Sequence, residues 1–145
     1  MDVIIRPATL DDLKDVQRLN LLLFKKEHKE YDRLLNLKWT FGEDGTKYYT
    51  NLISGDSGCV FIALVDGKII GYLAGTLKKA EVCRNLPITA ELENTLVIEK
   101  YRSKGIGKSL YDKFLEWCKS KKVRKIRVKA SAKNDLAIKF YEEWI

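Results

Sequence analysis

The stretch Arg102-Ser103-Lys104-Gly105-Ile106-Gly107-Lys108-Ser109 separates a predicted strand from an amphipathic helix. Its two glycines let the backbone approach a ligand closely, and a helix start offers unpaired N–H donors at the positive end of the dipole. Arg102, Lys104 and Lys108 add positive charge at the same point. The stretch predicts a cradle for phosphate groups, a diphosphate in particular. A tight turn that needs glycine for geometry only is the alternative.

Two common phosphate-binding motifs are excluded by single residues. A Walker A loop requires glycine where this chain has Arg102, although Gly107-Lys108-Ser109 matches the end of that motif. A dinucleotide fingerprint requires glycine where this chain has Leu110. The pattern that remains is Arg-x-x-Gly-x-Gly.

Hydrophobic periodicity predicts the elements around this stretch. Helices are predicted from the Thr9-Leu10-Asp11-Asp12 start to about Lys29, and over 48–53, 107–121 and 134–144. Strands are predicted over 3–6, 59–65, 68–75, 89–98 and 123–130, with Asp66-Gly67 as a hairpin turn. The order predicts a mixed α/β fold with an antiparallel front and a βαβ unit behind.

Composition limits the classes of protein that remain. The chain has 145 residues, of which 46% are hydrophobic, so we expect a single domain over 1–145. Neither a membrane-spanning apolar run nor a signal peptide is found, which predicts a soluble, cytoplasmic protein that does not bind membranes. Three cysteines without CxxC spacing and a single histidine predict no metal site and no disulfide framework.

Charge is unevenly distributed along the chain. Residues 1–99 hold 13 Lys and Arg against 15 Asp and Glu, a net charge of −2, whereas residues 100–145 hold 14 against 5, a net charge of +9. A basic block attracts polyanions such as nucleic acid or a phosphate-rich small molecule. A lysine-rich solvated surface is the simpler explanation, and charge alone does not decide between them.

Motifs along almost the whole chain resemble the GNAT superfamily of acyl-CoA-dependent N-acetyltransferases. The Arg-x-x-Gly-x-Gly loop matches that family's acetyl-CoA loop, and Leu96–Arg102 looks like the strand that precedes it. The segments Ile5–Thr9 with Asp11–Leu13, and Asn134–Glu142, look like the family's first and last conserved pieces. The resemblance covers residues 3–144 and implies a mixed, mostly antiparallel central sheet flanked by helices.

The resemblance also implies an activity and a set of site residues. The activity is direct transfer of an acetyl group from acetyl-CoA to a primary amine, with Tyr141 protonating the leaving thiolate. A core aromatic side chain is the alternative role for Tyr141. The residues expected to bind acetyl-CoA are Leu96, Val97, Arg102, Ser103, Lys104, Gly105, Ile106, Gly107, Lys108, Ser109 and Asn134.

Two glutamates compete for the role of general base. Glu91 and Glu93 are two residues apart on a predicted strand, so both should project to one face together with Thr95. Family members often use a glutamate on this strand to deprotonate the amine. We favour Glu93 because it is nearer the residues expected to pair with pantetheine. A solvated strand face is the alternative for both carboxylates.

The end of the sequence departs from the family pattern. The family continues with a Gly-Phe step and two more strands, whereas here Ile145 follows Trp144 and the sequence stops. This predicts an open sheet edge in a truncated chain, a shortened variant, or a protomer completed by a partner such as a second copy. Two other functions stay open: a basic nucleic-acid-binding module, which lacks a supporting aromatic or helix-turn-helix pattern, and a non-catalytic acyl-CoA sensor. The identity of the acceptor amine also stays open.

Overall fold

A computed structural model of the chain describes residues 1–78 and 88–128. Three helices and five strands are found in this part, together with two short 3-10 turns at Leu10–Asp12 and Glu99–Tyr101. The helices are α1 (Leu13–Glu30), α2 (Glu43–Ser54) and α3 (Ile106–Ser120). The strands are β1 (Val3–Pro7), β2 (Gly58–Val65), β3 (Lys68–Lys78), β4 (Thr89–Val97) and β5 (Lys125–Val128).

The five strands form one sheet in the order β1-β2-β3-β4-β5. The first four strands pair antiparallel, and β5 pairs parallel to β4 after the α3 crossover. Asp66 and Gly67 join β2 to β3 with φ angles of 50° and 75°, which is the left-handed conformation that two-residue hairpins prefer. The predicted fold class, a mixed and mostly antiparallel sheet flanked by helices, is confirmed.

Helices cover both faces of the sheet. α3 packs Leu110 and Phe114 on one face, where a buried cluster includes Phe61 and Leu73. α1 and α2 cover the other face, where Leu19 and Tyr49 pack against Ile62, Tyr72 and Leu96. The long apolar runs of β2 and β3 follow from this arrangement, because both faces of these strands are buried.

Several predicted boundaries need correction. The second helix begins at Glu43 rather than at residue 48, and Gly45 lies inside it. A Cβ at Gly45 would overlap the carbonyl oxygens of Trp39 and Thr40, so this glycine permits close packing and does not end the helix. β3 continues three residues beyond the predicted range, to Lys78. The helix predicted over 134–144 lies outside the described residues.

Candidate active site

The predicted phosphate cradle is a loop that leads from β4 into α3. Ser103 and Gly105 have φ angles of 60° and 80°, and Gly105 is the residue immediately before the helix. The left-handed backbone explains the glycine at 105, since other residues rarely adopt it. A Cβ at Gly105 would meet no atom within 4 Å. The glycine is therefore required by the turn, and the space above it is open to a ligand.

The start of α3 presents backbone donors with no acidic side chain in its first turn. The first backbone hydrogen bond runs from the Ser109 N–H to the Gly105 carbonyl, at 3.0 Å. The amides of Ile106, Gly107 and Lys108 precede that bond at the positive end of the helix dipole. The Ser109 hydroxyl also donates to the Gly105 carbonyl, at 3.0 Å. The backbone amides thus suit an anion better than the serine hydroxyl does.

Arg102 fixes this loop to the end of β4. Its Nε donates to the Val97 carbonyl oxygen at 2.7 Å, so one donor of the guanidinium group is used for structure. β4 pairs with β5 over Thr89–Leu92, although β4 itself continues to Val97. Among the described strands, Asn94–Val97 pairs with β3 alone, so β3 holds the end of β4 that leads into the loop.

A β-bulge in β4 separates the two candidate glutamates. Leu92 lies opposite Gly75 and Asn94 lies opposite Ala74, so Glu93 is the extra residue of the bulge. Beyond it the alternation reverses: Thr95 lies opposite Leu73, which packs in the α3 cluster. The prediction that Glu91, Glu93 and Thr95 share a face is therefore wrong for Thr95. A strand bulge keeps two consecutive side chains, here Glu93 and Asn94, on one face and so reverses the alternation for the residues after it.

Both carboxylates contact the same lysine. Lys78 Nζ lies 2.9 Å from Glu93 Oε1 and 3.4 Å from Glu91 Oε2. The Thr76 hydroxyl donates to the same Glu93 oxygen at 2.6 Å. The Glu91 side chain is 6% exposed and that of Glu93 is 21% exposed. Glu93 is thus the more accessible of the two, and the side chains of Lys78 and Thr76 hold the carboxylates in place.

Aromatic side chains from α2 adjoin the carboxylates. The Tyr49 hydroxyl donates to Asn94 Oδ1 at 2.9 Å, and the Tyr48 ring lies 4.9 Å from the Tyr49 ring. Burial, together with the nearby charges of Glu93 and Glu91, raises the pKa of Tyr48, so its phenol stays neutral. The aromatic row continues outward from Tyr48 to Trp39 and Phe24, with centroid distances of 5.4 and 5.7 Å. A polar, acidic patch formed by Glu91, Glu93 and Asn94 therefore lies beside the aromatic side chains of Tyr48 and Trp39.

The cysteines of the described residues are not candidate nucleophiles. Cys59 and Cys118 are both free thiols buried in the α3 cluster. Burial raises the pKa of Cys59 to about 12 and that of Cys118 to about 11. Thiols with such pKa values are almost entirely protonated near neutral pH, which makes them poor nucleophiles. Both thiols belong to the hydrophobic core.

The remaining predictions concern two site residues, metal binding and membrane spans. Asn134 and Tyr141 lie outside the described residues, so their roles stay predictions. Within residues 1–78 and 88–128, no three His, Cys, Asp or Glu side chains come together as a metal site would require. No helix in those ranges is long and apolar enough to span a membrane.

Sequence reasoning missed the side chains that surround the two glutamates. Thr76 and Lys78 stand on the strand predicted to end at residue 75, and their spacing of two gave only a weak signal. Asn94 comes next to Glu93 in sequence, and only the bulge brings both of them to one face. Tyr48 and Trp39 reach the patch through tertiary packing, for which the sequence offered no signal.

Comparisons with known proteins identify a family and a fold for this chain. A family model described as the acetyltransferase (GNAT) family matches residues 18–144. An uncharacterised N-acetyltransferase of Methanocaldococcus jannaschii is 28% identical over 144 residues, which is 95% of this chain and 58% of that protein. The chain thus spans somewhat more than half the length of that relative.

Two solved structures illustrate the similarity in fold. The structure of a mutant of a Bacillus halodurans protein has a TM-score of 0.82 and 25% identity, and the match covers 97% of this chain and 90% of that one. An aminoglycoside N-acetyltransferase in complex with CoA has a TM-score of 0.76 and 18% identity, and the match covers 98% of this chain and 86% of that one. The second similarity concerns the fold alone.

Proposed function

The chain belongs to the acetyltransferase (GNAT) family, and on that premise we propose that it transfers an acetyl group from acetyl-CoA to a primary amine. The observation that carries this proposal is the position of the exposed, left-handed Gly105 loop and the start of α3 at the end of β4. The same strand bears Glu91 and Glu93. One strand therefore links an anion-binding loop to a pair of carboxylates.

The loop has the chemistry that a diphosphate requires. The amides of Gly105, Ile106, Gly107 and Lys108 would bind the phosphate oxygens, with Arg102, Ser103 and Lys104 beside them and Ser109 at the base of the loop. Backbone groups of Leu96 and Val97, on the strand that leads into the loop, would pair with the pantetheine arm. The resemblance to the family adds Asn134 on that arm. Bound acetyl-CoA supplies an activated thioester.

The carboxylates of β4 would prepare the amine. A protonated amine cannot attack a thioester, so a base within hydrogen-bond reach must remove its proton. We assign this role to Glu93, because the bulge presents it and it is more exposed than Glu91. Glu91 would contribute negative charge that attracts a cationic acceptor. The resemblance to the family assigns protonation of the thiolate to Tyr141.

The acceptor proposed is a small cationic amine. Two carboxylates beside the aromatic side chains Tyr48 and Trp39 form a surface that favours an ammonium group over a neutral hydroxyl. Aminoglycoside N-acetyltransferases among the structures of similar fold act on amines of that kind, which supports the class without identifying the compound. The cytoplasmic location and a homodimer stay predictions.

One variant tests the proposed binding of acetyl-CoA at the loop. Gly107→Val places a branched side chain among the amides at the start of α3, and we expect acetyl-CoA binding to weaken at least roughly ten-fold by calorimetry. Thermal unfolding should change little if the glycine serves the ligand. A collapse of thermal stability would show that Gly107 is structural instead.

The two alternative functions predict different results from the same protein. A non-catalytic sensor would bind acetyl-CoA and acetylate no member of a panel of polyamines, aminoglycosides and lysine peptides. A nucleic-acid-binding module would bind duplex DNA in a salt-sensitive manner and leave acetyl-CoA unbound. Acetylation of any amine in the panel, lost in Glu93→Gln, would support the proposal.

A further inference from the structure

The ammonium group of Lys78 occupies the position between the two candidate carboxylates. Its Nζ lies 2.9 Å from Glu93 and 3.4 Å from Glu91, so a primary amine of the chain already contacts the group assigned as the base. Lys78 is the last residue of β3, and its backbone lies opposite Thr89 at the start of β4. Its side chain therefore runs along β4 toward the bulge.

Lys113 offers a comparison within the same molecule. The Lys113 side chain is 44% exposed and that of Lys78 is 43% exposed, so the two side chains are exposed to the same extent as a whole. Lys113 is paired with Glu116 on the surface of α3 at 3.5 Å. Lys78 is instead held by two carboxylates on the face that carries Tyr48 and Asn94. The two lysines thus differ in surroundings and not in accessibility.

We propose that Lys78 is a self-acetylation site, at which the chain modifies its own amine when no external acceptor is bound. This inference rests on the proposed function, because acetyl-CoA is the acetyl donor. The Lys78 ammonium gives one proton to the Glu93 carboxylate, and the free amine attacks the thioester carbonyl carbon. A C–N bond forms and the C–S bond breaks, and the second amine proton ends on the CoA thiol. The products are N-acetyl-lysine and CoA.

Acetylation would change the charge of the patch. An acetylated lysine is neutral and no longer forms an ion pair, so Glu93 would lose its ion pair with Lys78. The Glu93 carboxylate would then be available to an external ammonium group. Lys78 is in this sense a competitor of the acceptor, and its modification would favour binding of a cationic amine.

The experiment follows the mass and the modified positions of the full chain. Protein is incubated with acetyl-CoA alone, and peptide mapping measures acetylation at Lys78 and Lys113 over time. We expect Lys78 to be modified roughly 10²-fold faster than Lys113, because only Lys78 contacts Glu93, the carboxylate assigned as the base of the transfer reaction. The rate constant should not depend on protein concentration, since the transfer occurs within one chain. Glu93→Gln should reduce modification at Lys78 and leave Lys113 unchanged.

A chemical reagent provides the matched control. Acetic anhydride without acetyl-CoA reports intrinsic reactivity, and Lys113 should then react at least as fast as Lys78, because the carboxylates hold Lys78 protonated. Equal rates at both lysines with acetyl-CoA would overturn the inference. Acetylation of an external amine with no modification of Lys78 would overturn it while leaving the proposed function in place. If calorimetry shows that acetyl-CoA binds, and yet neither an external amine nor Lys78 is acetylated, both proposals are overturned together.

Discussion

Asp12 links β1 to the start of α1 through contacts at the residue scale. Arg6 donates from both terminal nitrogens to its carboxylate, at 2.8 and 3.2 Å, and the Thr9 backbone N–H donates to it at 2.8 Å. The hydrogen bonds from Arg6 hold the pKa of Asp12 below its ordinary value. One side chain therefore combines a bidentate ion pair with a helix cap.

Replacement of Asp12 by alanine should lower the free energy of unfolding by about 1–2 kcal/mol at neutral pH, since a cap and a paired charge are both lost. Urea denaturation measures this change. Asp15→Ala is the matched control, because Asp15 pairs with Arg18 at 3.3 Å and both side chains are 50% exposed. Exposed pairs of that kind contribute little. Equal losses of unfolding free energy in both variants would show that the Asp12 contacts stabilise the fold no more than an exposed ion pair does.

The pH dependence of this prediction follows from the lowered pKa. A carboxylate whose pKa is lower in the folded state stabilises the fold above its unfolded value of about 3.9 and loses that contribution as the pH falls through the folded value. The stability difference between wild type and Asp12→Ala should therefore shrink in acid below about pH 4. A difference that stays constant from pH 7 to pH 3 would contradict this assignment.

At the scale of elements, Gly75 sets how closely α3 approaches the sheet. A Cβ at Gly75 would overlap the ring of Phe114, which is fully buried. Gly75→Ala should therefore cost about 1–3 kcal/mol of unfolding free energy through overpacking. Phe114→Leu removes the ring, so the double variant should lose less than the sum of the two single losses. Strict additivity in urea denaturation would show that the methyl group and the ring do not collide.

The elements that local sequence determines were predicted well. Asp66-Gly67 requires left-handed backbone and forms the hairpin, and the apolar spacing of Leu110, Phe114 and Cys118 forms the buried face of α3. The bulge at Glu93 could not be predicted, because strand alternation is local and the pairing of β3 with β4 is not. Residues 79–88 separate those strands in sequence, so their register depends on tertiary packing.

The same distinction holds for the candidate site. The glycine loop could be recognised because its chemistry lies within one short segment. The patch around Glu93 draws Thr76 and Lys78 from β3 and Tyr48 from α2, and these residues come together only when the sheet forms. The contacts of these residues with Glu93 depend on the pairing and packing of separate elements, which their spacing in the sequence does not show.

At the scale of the whole molecule, one basic region lies at each end of β4. The loop with Arg102 and Lys104 follows Val97 at one end, whereas Lys125 of β5 lies opposite Thr89 at the other. These ends are roughly 26 Å apart, at about 3.3 Å per strand residue. A ligand confined to the loop would therefore use only the lysines beside Gly105, whereas a polyanion spread over the net +9 of residues 100–145 would also use lysines such as Lys125 at the far end.

Salt and two charge-matched variants distinguish these ligands. Acetyl-CoA is polyphosphorylated, so its affinity should fall roughly ten-fold between 0.05 and 0.5 M salt as screening increases. Lys104→Gln should weaken binding and flatten this salt dependence, because the charge lies in the loop. Lys125→Gln removes the same charge at a distance beyond the screening length and should leave binding unchanged. Equal weakening by both substitutions would instead indicate that the ligand responds to the net charge of the molecule.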